Sequence, residues 1–557
     1  MYGGGSPGGR GSAFPHCAPR PAPSPLIIYK MRFPSKLLAL PLALSGGLAV
    51  AQDTPAGRVV LVLPFDNRSG NFSLNWIGDS LPDTLDKRLN SSGFLTISHD
   101  DRVYALDHLG LPAGFRPSRA TTIRIAQQLD ANFVIVGSFN VSGNRISIQA
   151  QVLSVDALTL SPPVEDSADL PRLFDAENAI AWKVARAIDP HFSVAETTFL
   201  AAPGAVPLPA FEDYIRGTNA PTTEERLKRL QTAVSVAPDY TAALLALGKE
   251  QYAARDYSAA AASLAKVPPN SPAALEAGFY LGLSRFNAAN YAAAETAFAF
   301  VATRLPLPEV VNDEAVAMSR QGKDGVVLFQ KASQADPSDE DYHYNLAIAL
   351  YRRGDTVSAL READAALKLR PSDNEAVELR ARLSAAPLGQ RLDPDPTSGF
   401  SPVERIRRNY SETGFRQAAF QLDQMRAMRL AMLPPAQQAA EYTQSGRDFL
   451  AQGLLPQAEQ EFQSALAADP NSADAHAGLA QIRELSGSLD DARTEAQTSI
   501  RLRPNAAAWL VLARLDLAAN QLPASADDVA NALHLDPSNT AAQALRQNLQ
   551  QRGQPLP

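Results

Sequence analysis

In the first 200 residues, hydrophobic and polar positions follow two kinds of pattern, one typical of strands and one typical of helices. Continuous or alternating apolar runs predict strands, and these are 58–65, 94–98, 132–139 and 145–155. Apolar residues three or four apart predict helices, at 76–89, 121–129 and 170–188. Ser142, Gly143 and Asn144 predict a tight hairpin between the last two strands. The pattern therefore predicts a small α/β domain over residues 57–200, with helices covering a mixed sheet.

From residue 207 the spacing is helical throughout, and prolines punctuate it at regular intervals. They are Pro238, Pro272, Pro306, Pro337 and Pro371, followed by Pro470, Pro504 and Pro537. The steps are 34, 34, 31 and 34 residues in the first series and 34 and 33 in the second. Proline ends a helix because it has no N–H to donate. A period of this length predicts helix pairs that stack into an all-α solenoid.

Small residues recur at fixed places in these units, as in Gly248 with Ala260, Gly282 with Ala294, and Gly446 with Ala458. Two helices that cross closely need small side chains there. This arrangement resembles the tetratricopeptide repeat. We expect about five units over 207–386, a proline-rich linker over 387–401, a basic helical connector over 402–438, about three units over 439–549, and a polar tail over 550–557.

The α/β domain also carries a resemblance. Its motifs are Val60-Leu61-Val62-Leu63-Pro64-Phe65-Asp66-Asn67-Arg68-Ser69-Gly70, Ile77-Gly78-Asp79-Ser80-Leu81, Gly137-Ser138-Phe139 and Gly143-Asn144-Arg145-Ile146. In this order they are similar to the TolB amino-terminal-like domain, whose members occur in periplasmic envelope proteins and beside repeat arrays in bacterial signalling proteins. The resemblance covers about 130 residues and implies no catalytic residue. Pro82 and Asp83 depart from the family pattern, so it implies no binding role for that helix face.

The N-terminus has the features of an export signal. Residues 1–30 are rich in Gly, Pro and Ser and are interpreted as an untranslated or disordered extension, because Met31 can serve as the start. Residues 31–51 then place Arg32 and Lys36 before an apolar run that ends in Ala49-Val50-Ala51, a pattern that signal peptidase recognises. We expect cleavage after Ala51 and a periplasmic or otherwise exported protein. The alternative is an apolar N-terminal helix of a cytosolic protein.

Charge and cysteine content narrow the possible partners. Without residues 1–51, 46 basic and 59 acidic side chains remain, and the only cysteine, Cys17, is removed. A negative surface disfavours nucleic acid and anionic lipid. We therefore expect protein partners, with no nucleic acid and no transmembrane span in the mature chain; the oligomeric state is left open.

The first helices of tetratricopeptide units line a concave groove, which supplies the candidate binding residues. These are Leu245, Lys249, Tyr252, Phe279, Phe286, Tyr344, Tyr351 and Arg352. Aromatic side chains offer large contact area at low entropic cost, so the groove is predicted to hold an apolar or aromatic peptide segment or helix. The alternative is that these rings pack between neighbouring helices.

Catalytic chemistry has little support in the sequence. The histidines of the mature chain form no pair at zinc-site spacing, and no glycine-rich phosphate loop follows a strand. We predict no catalytic residue, metal or cofactor. The leading hypothesis is a non-enzymatic exported scaffold of the bacterial cell envelope. The alternative is a cytoplasmic signalling or regulatory protein with a TolB-like sensory domain and a repeat array.

Overall fold

The computed structural model of the chain describes residues 59–111, 118–201, 206–391, 400–408 and 424–556. The predicted extension 1–30 and the predicted export signal 31–51 lie outside the described residues. Within the described ranges, no helix has both the length and the apolar character needed to cross a membrane.

A mixed seven-stranded sheet forms the centre of the N-terminal domain. Its strands are β1 (Val59–Val62), β2 (Asp66–Asn67), β3 (Leu95–Thr96), β4 (Phe133–Ser142), β5 (Arg145–Ser154), β6 (Thr159–Leu160) and β7 (Val164–Asp169). β1 lies between β3 and β4 and runs parallel to both. β4 and β5 form an antiparallel hairpin that closes with Ser142 opposite Arg145, as the sequence predicts. β6 and β7 pair with β5.

Helices cover both faces of this sheet. They are α1 (Asn75–Asn90), α2 (His99–His108), α3 (Arg119–Gln128), α4 (Leu173–Ile188) and α5 (Glu196–Leu200). Val60 and Val62 of β1 belong to the apolar cluster that includes α1 and α4. Leu61 belongs to the cluster that includes α2 and α3. This division follows from the two-residue period of a strand, and it makes the domain a three-layer α/β unit.

Antiparallel helix pairs follow the α/β domain. They are α6 (Leu208–Thr218), α7 (Thr223–Val236), α8 (Thr241–Ala253), α9 (Tyr257–Leu264), α10 (Ala274–Asn287), α11 (Tyr291–Ala302), α12 (Pro308–Ser319), α13 (Val326–Ala335), α14 (Glu340–Arg353), α15 (Thr356–Leu369) and a last single helix, α16 (Asn374–Ala385). Each helix packs on its neighbours along the chain. We call α6 to α16 the first helical block.

A second helical block lies nearer the C-terminus. Its helices are Pro435–Ala451, Leu455–Ala468, Ala473–Leu485, Leu489–Leu502, Ala506–Ala518, Leu522–Leu535 and Thr540–Gln551. In its first pair, a Cβ built at Gly446 would lie 2.7 Å from the ring of Phe462, so the two helices cross as closely as predicted. The predicted fold class, a small α/β domain followed by an α-solenoid, is confirmed.

The predicted helical connector over 402–438 is wrong in its first part. Residues 402–408 form no helix, and burial alternates from Phe400 to Glu404 as in an extended chain, whereas 424–431 are helical. The stretch between them lies outside the described residues. The extended conformation has a tertiary cause, because backbone groups of Arg405 and Arg407 bond to side chains of α12 and α14 rather than to one another.

The second block also contacts the α/β domain. Glu459, completely buried, accepts hydrogen bonds from both terminal nitrogens of Arg483 at 2.7 and 3.1 Å and from the Ala195 backbone N–H at 3.2 Å. Arg483 also donates to the Thr198 hydroxyl at 2.8 Å. At the other end of the array, Lys249 of α8 pairs with Asp100 of α2 at 2.8 Å. The α/β domain therefore contacts both helical blocks.

Candidate functional site

The first helical block holds an extended stretch of its own chain against α12, α14 and α16. This stretch is residues 400–408, which we call the groove segment. Phe400, Pro402 and Glu404 are buried, whereas Ser401 and Val403 between them are exposed. Alternation with a period of two is the mark of an extended chain with one side against a surface. The groove segment therefore lies along the first helices of successive pairs in the way that a bound peptide would.

Amide side chains of the block bind the backbone of the groove segment. Asn345 of α14 donates from Nδ2 to the Arg405 carbonyl at 2.7 Å, and the Arg405 N–H donates to Asn345 Oδ1 at 2.7 Å. Asn312 of α12 donates to the same carbonyl at 3.1 Å and accepts from Asn345 at 2.8 Å. Two residues on, the Arg407 N–H donates to Asp313 Oδ1 at 2.7 Å. These contacts fix the register of an extended backbone without reference to its side chains.

The side chain of Arg405 enters an acidic pocket. Its guanidinium pairs with Asp341 at 2.8 Å, Asp373 at 2.6 Å and Glu375 at 2.7 Å, and lies over the Tyr344 ring at 3.9 Å. Burial alone would lower the pKa of Arg405, but the hydrogen bonds to these carboxylates outweigh it and raise the pKa. The Arg405 guanidinium in turn holds the pKa of Asp373 below its ordinary value. Planar, forked pairing and ring stacking both favour arginine over lysine here.

Arg407 binds a second group of carboxylates. It pairs with Asp339 and, at 3.2 Å, with Asp341, and lies 5.2 Å from the centre of the Tyr342 ring. Beneath its backbone, Asp313 is completely buried, and burial raises the pKa of this carboxyl well above its ordinary value. Within the described residues, Asp313 Oδ2 has no hydrogen-bond partner.

Glu404 lies between Phe400 and these arginines in the groove segment, and it carries the opposite charge. It is 2% exposed and accepts hydrogen bonds from Arg352 of α14 and from the Ser319 hydroxyl of α12. Arg320 donates to the Glu404 carbonyl at 3.1 Å. The groove thus provides cationic donors at one place and carboxylates next to it, which matches the order of Glu404 and Arg405 in the groove segment.

The residues predicted from sequence are distributed over several environments. Tyr344 and Arg352 contact the groove segment, through Arg405 and Glu404 respectively. Phe279, Tyr344 and Tyr351 are buried, at 0%, 1% and 6% exposure.

The other predicted residues lie elsewhere in the block. Lys249 is bound to Asp100 and Glu276. Leu245 and Tyr252 pack in an apolar cluster of α8 to α10, and Phe286 packs beside the clusters that include α12 and α14. That these residues bind a partner stays a prediction.

Sequence reasoning missed the polar residues that bind the groove segment: Asn312, Asp313, Asp339, Asn345, Asp373 and Glu375, with Glu404, Arg405 and Arg407 on the segment itself. One signal was available. Asn312 and Asn345 are 33 residues apart, one repeat, on the first helices of adjacent pairs. Identical amides one repeat apart suggest a ladder along the groove. The groove chemistry found here is acidic and amide, whereas the predicted chemistry is apolar and aromatic.

Over the residues that the structure describes, no three His, Cys, Asp or Glu side chains are grouped to hold a metal ion. The carboxylates around Arg405 and Arg407 are engaged with guanidinium groups. The arrangement is suited to binding a peptide chain.

Comparison with known structures finds neighbours of low similarity. MamA from Desulfovibrio magneticus RS-1 is 19% identical, with 33% of this chain and 99% of that chain covered and a TM-score of 0.27. The C-terminal domain of LpoB from Salmonella enterica is 24% identical, covering 21% and 87% with a TM-score of 0.18. TolB from Acinetobacter baumannii is 16% identical, covering 24% and 29% with a TM-score of 0.18. At these scores none supports a functional argument.

Comparison by sequence gives the more informative result. A search of curated proteins finds no match. The family profile described as "Tetratricopeptide repeat" matches residues 321–386, 443–507 and 486–540. The first match includes α14 to α16, which carry Asn345, Tyr344 and Glu375, and the other two lie in the second helical block. Both helical blocks of this chain therefore contain tetratricopeptide repeats, the architecture of a protein–protein interaction scaffold.

Proposed function

We propose that this chain is a non-enzymatic, exported scaffold of the bacterial cell envelope, and that the first helical block binds extended segments of partner proteins. The observation that carries the proposal is the pair of hydrogen bonds between Asn345 and the backbone of Arg405. A buried amide that bonds both backbone groups of one residue holds a chain in the groove in a single register.

The burial of two amide side chains in the groove supports the same function. Asn312 and Asn345 are completely buried with the groove segment in place. Replacing either amide by an apolar side chain would leave backbone groups of Arg405 without their partners, at a cost of about 1–3 kcal/mol for each group that stays buried. The two amides select an extended backbone in one register. This is the property expected of a binding surface.

Export rests on the N-terminal pattern. The basic residues Arg32 and Lys36 precede an apolar run that ends in Ala49-Val50-Ala51, and residues 52–557 contain no cysteine. We propose that the mature protein begins at Gln52 and acts in the periplasm. We also propose that the α/β domain is TolB-like and docks a second partner. The reason is that its strand, turn, helix and hairpin motifs follow one another in the order typical of that family.

The test combines processing with site-specific crosslinking in the native host. A photoreactive residue replaces Glu375, whose side chain is 69% exposed at the groove. A matched control places it at Val357, 56% exposed on the second helix of the α14–α15 pair. We expect a partner crosslinked from position 375 and not from 357, loss of that crosslink with Asn345→Ala, and a tagged chain that starts at Gln52.

Each part of the proposal can fail separately. Equal crosslinking from both positions, or crosslinking unaffected by Asn345→Ala, would exclude the groove as the binding surface. An uncleaved chain crosslinked to cytoplasmic proteins would exclude export and favour a signalling role.

A further inference from the structure

We propose that the groove segment is an intramolecular ligand that competes with the partner, and that the partner segment is an extended chain carrying an acidic residue followed by two arginines, as Glu404, Arg405 and Arg407 do. This inference rests on the proposed function, because it specifies the occupant and the regulation of the same groove. It adds a specificity rule and a reason for the position of the groove segment in the chain.

The specificity rule follows from the charges that face the groove. Asp341, Asp373 and Glu375 surround Arg405, and Asp339 with Asp341 bind Arg407. Arg352 and Ser319 bind the acidic residue that comes first. A partner with lysine in place of Arg405 would lose the forked pairing and most of the stacking on Tyr344. A partner with the reversed order of charges would place like charges together.

Several features distinguish the groove segment from an ordinary packed connection. Its backbone bonds at Arg405 and Arg407 go to side chains of α12 and α14. Val403, in the middle, is 46% exposed. Apolar anchoring comes from Phe400 and, in part, from Ile406. Because the groove segment is bound through charged and amide groups, a second chain that offers the same groups can replace it.

The stretch of chain between α16 and the groove segment sets how strongly this segment competes with an outside peptide. α16, which lines the groove, ends at Ala385, and the segment begins at Phe400 in the same chain. A short connection gives an effective concentration on the order of 1 mM. If the free peptide binds with a Kd of about 100 µM, the tethered copy weakens binding of an outside peptide by about 10-fold. Releasing the segment should therefore increase the affinity for an added peptide by that factor.

The experiment measures binding of a fluorescein-labelled peptide with the sequence of residues 400–408 to the purified full chain, by fluorescence anisotropy. The test protein carries Arg405→Ala with Arg407→Ala, which disables its own segment and leaves the groove intact. We expect about 10-fold tighter binding than to the unchanged protein. A peptide in which both arginines are alanine should not bind, and adding Asn345→Ala to the test protein should abolish binding.

Further measurements keep the result interpretable. If the double variant is poorly folded by circular dichroism, Arg407→Ala alone should give a smaller increase in affinity. Equal affinity of the unchanged and released proteins would overturn the proposal. A dimer of the unchanged chain that dissociates on Arg405→Ala with Arg407→Ala would overturn it in favour of exchange between copies.

Failure here is separable from failure of the proposed function. If the released protein does not bind the peptide but Asn345-dependent crosslinking from position 375 persists in cells, the groove binds partners of other chemistry. The intramolecular ligand is then rejected and the scaffold function stands.

Discussion

Gly282 and Phe298 are in direct contact where α10 crosses α11. A Cβ built at Gly282 would lie 2.5 Å from the Phe298 ring, which is completely buried. Real Cβ atoms do not approach a ring so closely, so any side chain at position 282 must displace the ring or separate the helices. The contact fixes the distance between the two helices of this repeat.

Gly282→Leu should therefore destabilise the protein by about 1–3 kcal/mol through overpacking. The measurement is urea unfolding followed by circular dichroism. Ala292→Leu is the matched control, because Ala292 is exposed on α11 and tolerates added methylenes. If Gly282→Leu is as stable as the control, the assignment of repeat positions in this block is incorrect.

Glu177 makes the stability of the α/β domain dependent on pH. It is completely buried and accepts hydrogen bonds from Ser80 at 2.5 Å and Thr84 at 2.6 Å. Burial raises its pKa from 4.5 to about 7, against the effect of the two hydroxyl groups. Between these values the folded state retains a proton that the unfolded state has lost. The free energy of unfolding should thus fall by about 3 kcal/mol as pH rises from 4.5 to 7.

Glu177→Gln should remove that slope, because the amide stays neutral in both states. Urea unfolding at pH 5 and pH 8 measures it, with Glu196→Gln, an exposed glutamate of α5, as the control. A Glu177→Gln protein with the pH dependence of the unchanged chain would contradict the assignment.

Arg483 should be required for the contact between the second block and the α/β domain. Arg483→Ala leaves the Glu459 carboxylate buried without its counter-ion, which costs about 3–5 kcal/mol, and removes the bond to Thr198. We expect faster amide hydrogen exchange over 195–200 in this variant, measured by mass spectrometry. Arg501→Ala, at an exposed arginine of the same block, should leave exchange unchanged. Unchanged exchange in Arg483→Ala would mean that the contact does not hold these residues.

Apolar periodicity accounts for the parts of the fold that the sequence predicts. The buried residues of strand β1 are all apolar, and large apolar residues recur at helical spacing along α1, so both elements are recognisable from their pattern. Helix α2 is harder to recognise, because one of its few buried residues is Arg102, which donates to the Val62 carbonyl at 3.0 Å. Strand β7 has the sequence Val-Glu-Asp-Ser-Ala-Asp and lies at the edge of the sheet, where polar residues are tolerated.

Only part of the candidate site could be predicted from the sequence. Repeat positions place Tyr344 and Arg352 on the groove, where they contact the segment. The same positions select Phe279, yet its ring is completely buried beside Phe298 and Tyr280. A repeat position specifies the face of a helix, whereas depth depends on the size of the side chains around it. That residues 400–408 fill the groove depends on contacts distant in sequence, which no local pattern encodes.

The bonds of Glu459 and Arg483 to Ala195 and Thr198 affect how many repeats this chain can tolerate. An open solenoid can gain or lose a unit at little cost, because each unit touches only its neighbours. Here the array is attached to one domain near its start, through Lys249, and again far along its length. Inserting or deleting a unit between these attachments would move one of them out of reach. The two contacts with the α/β domain therefore restrict the number of repeat units that can lie between them.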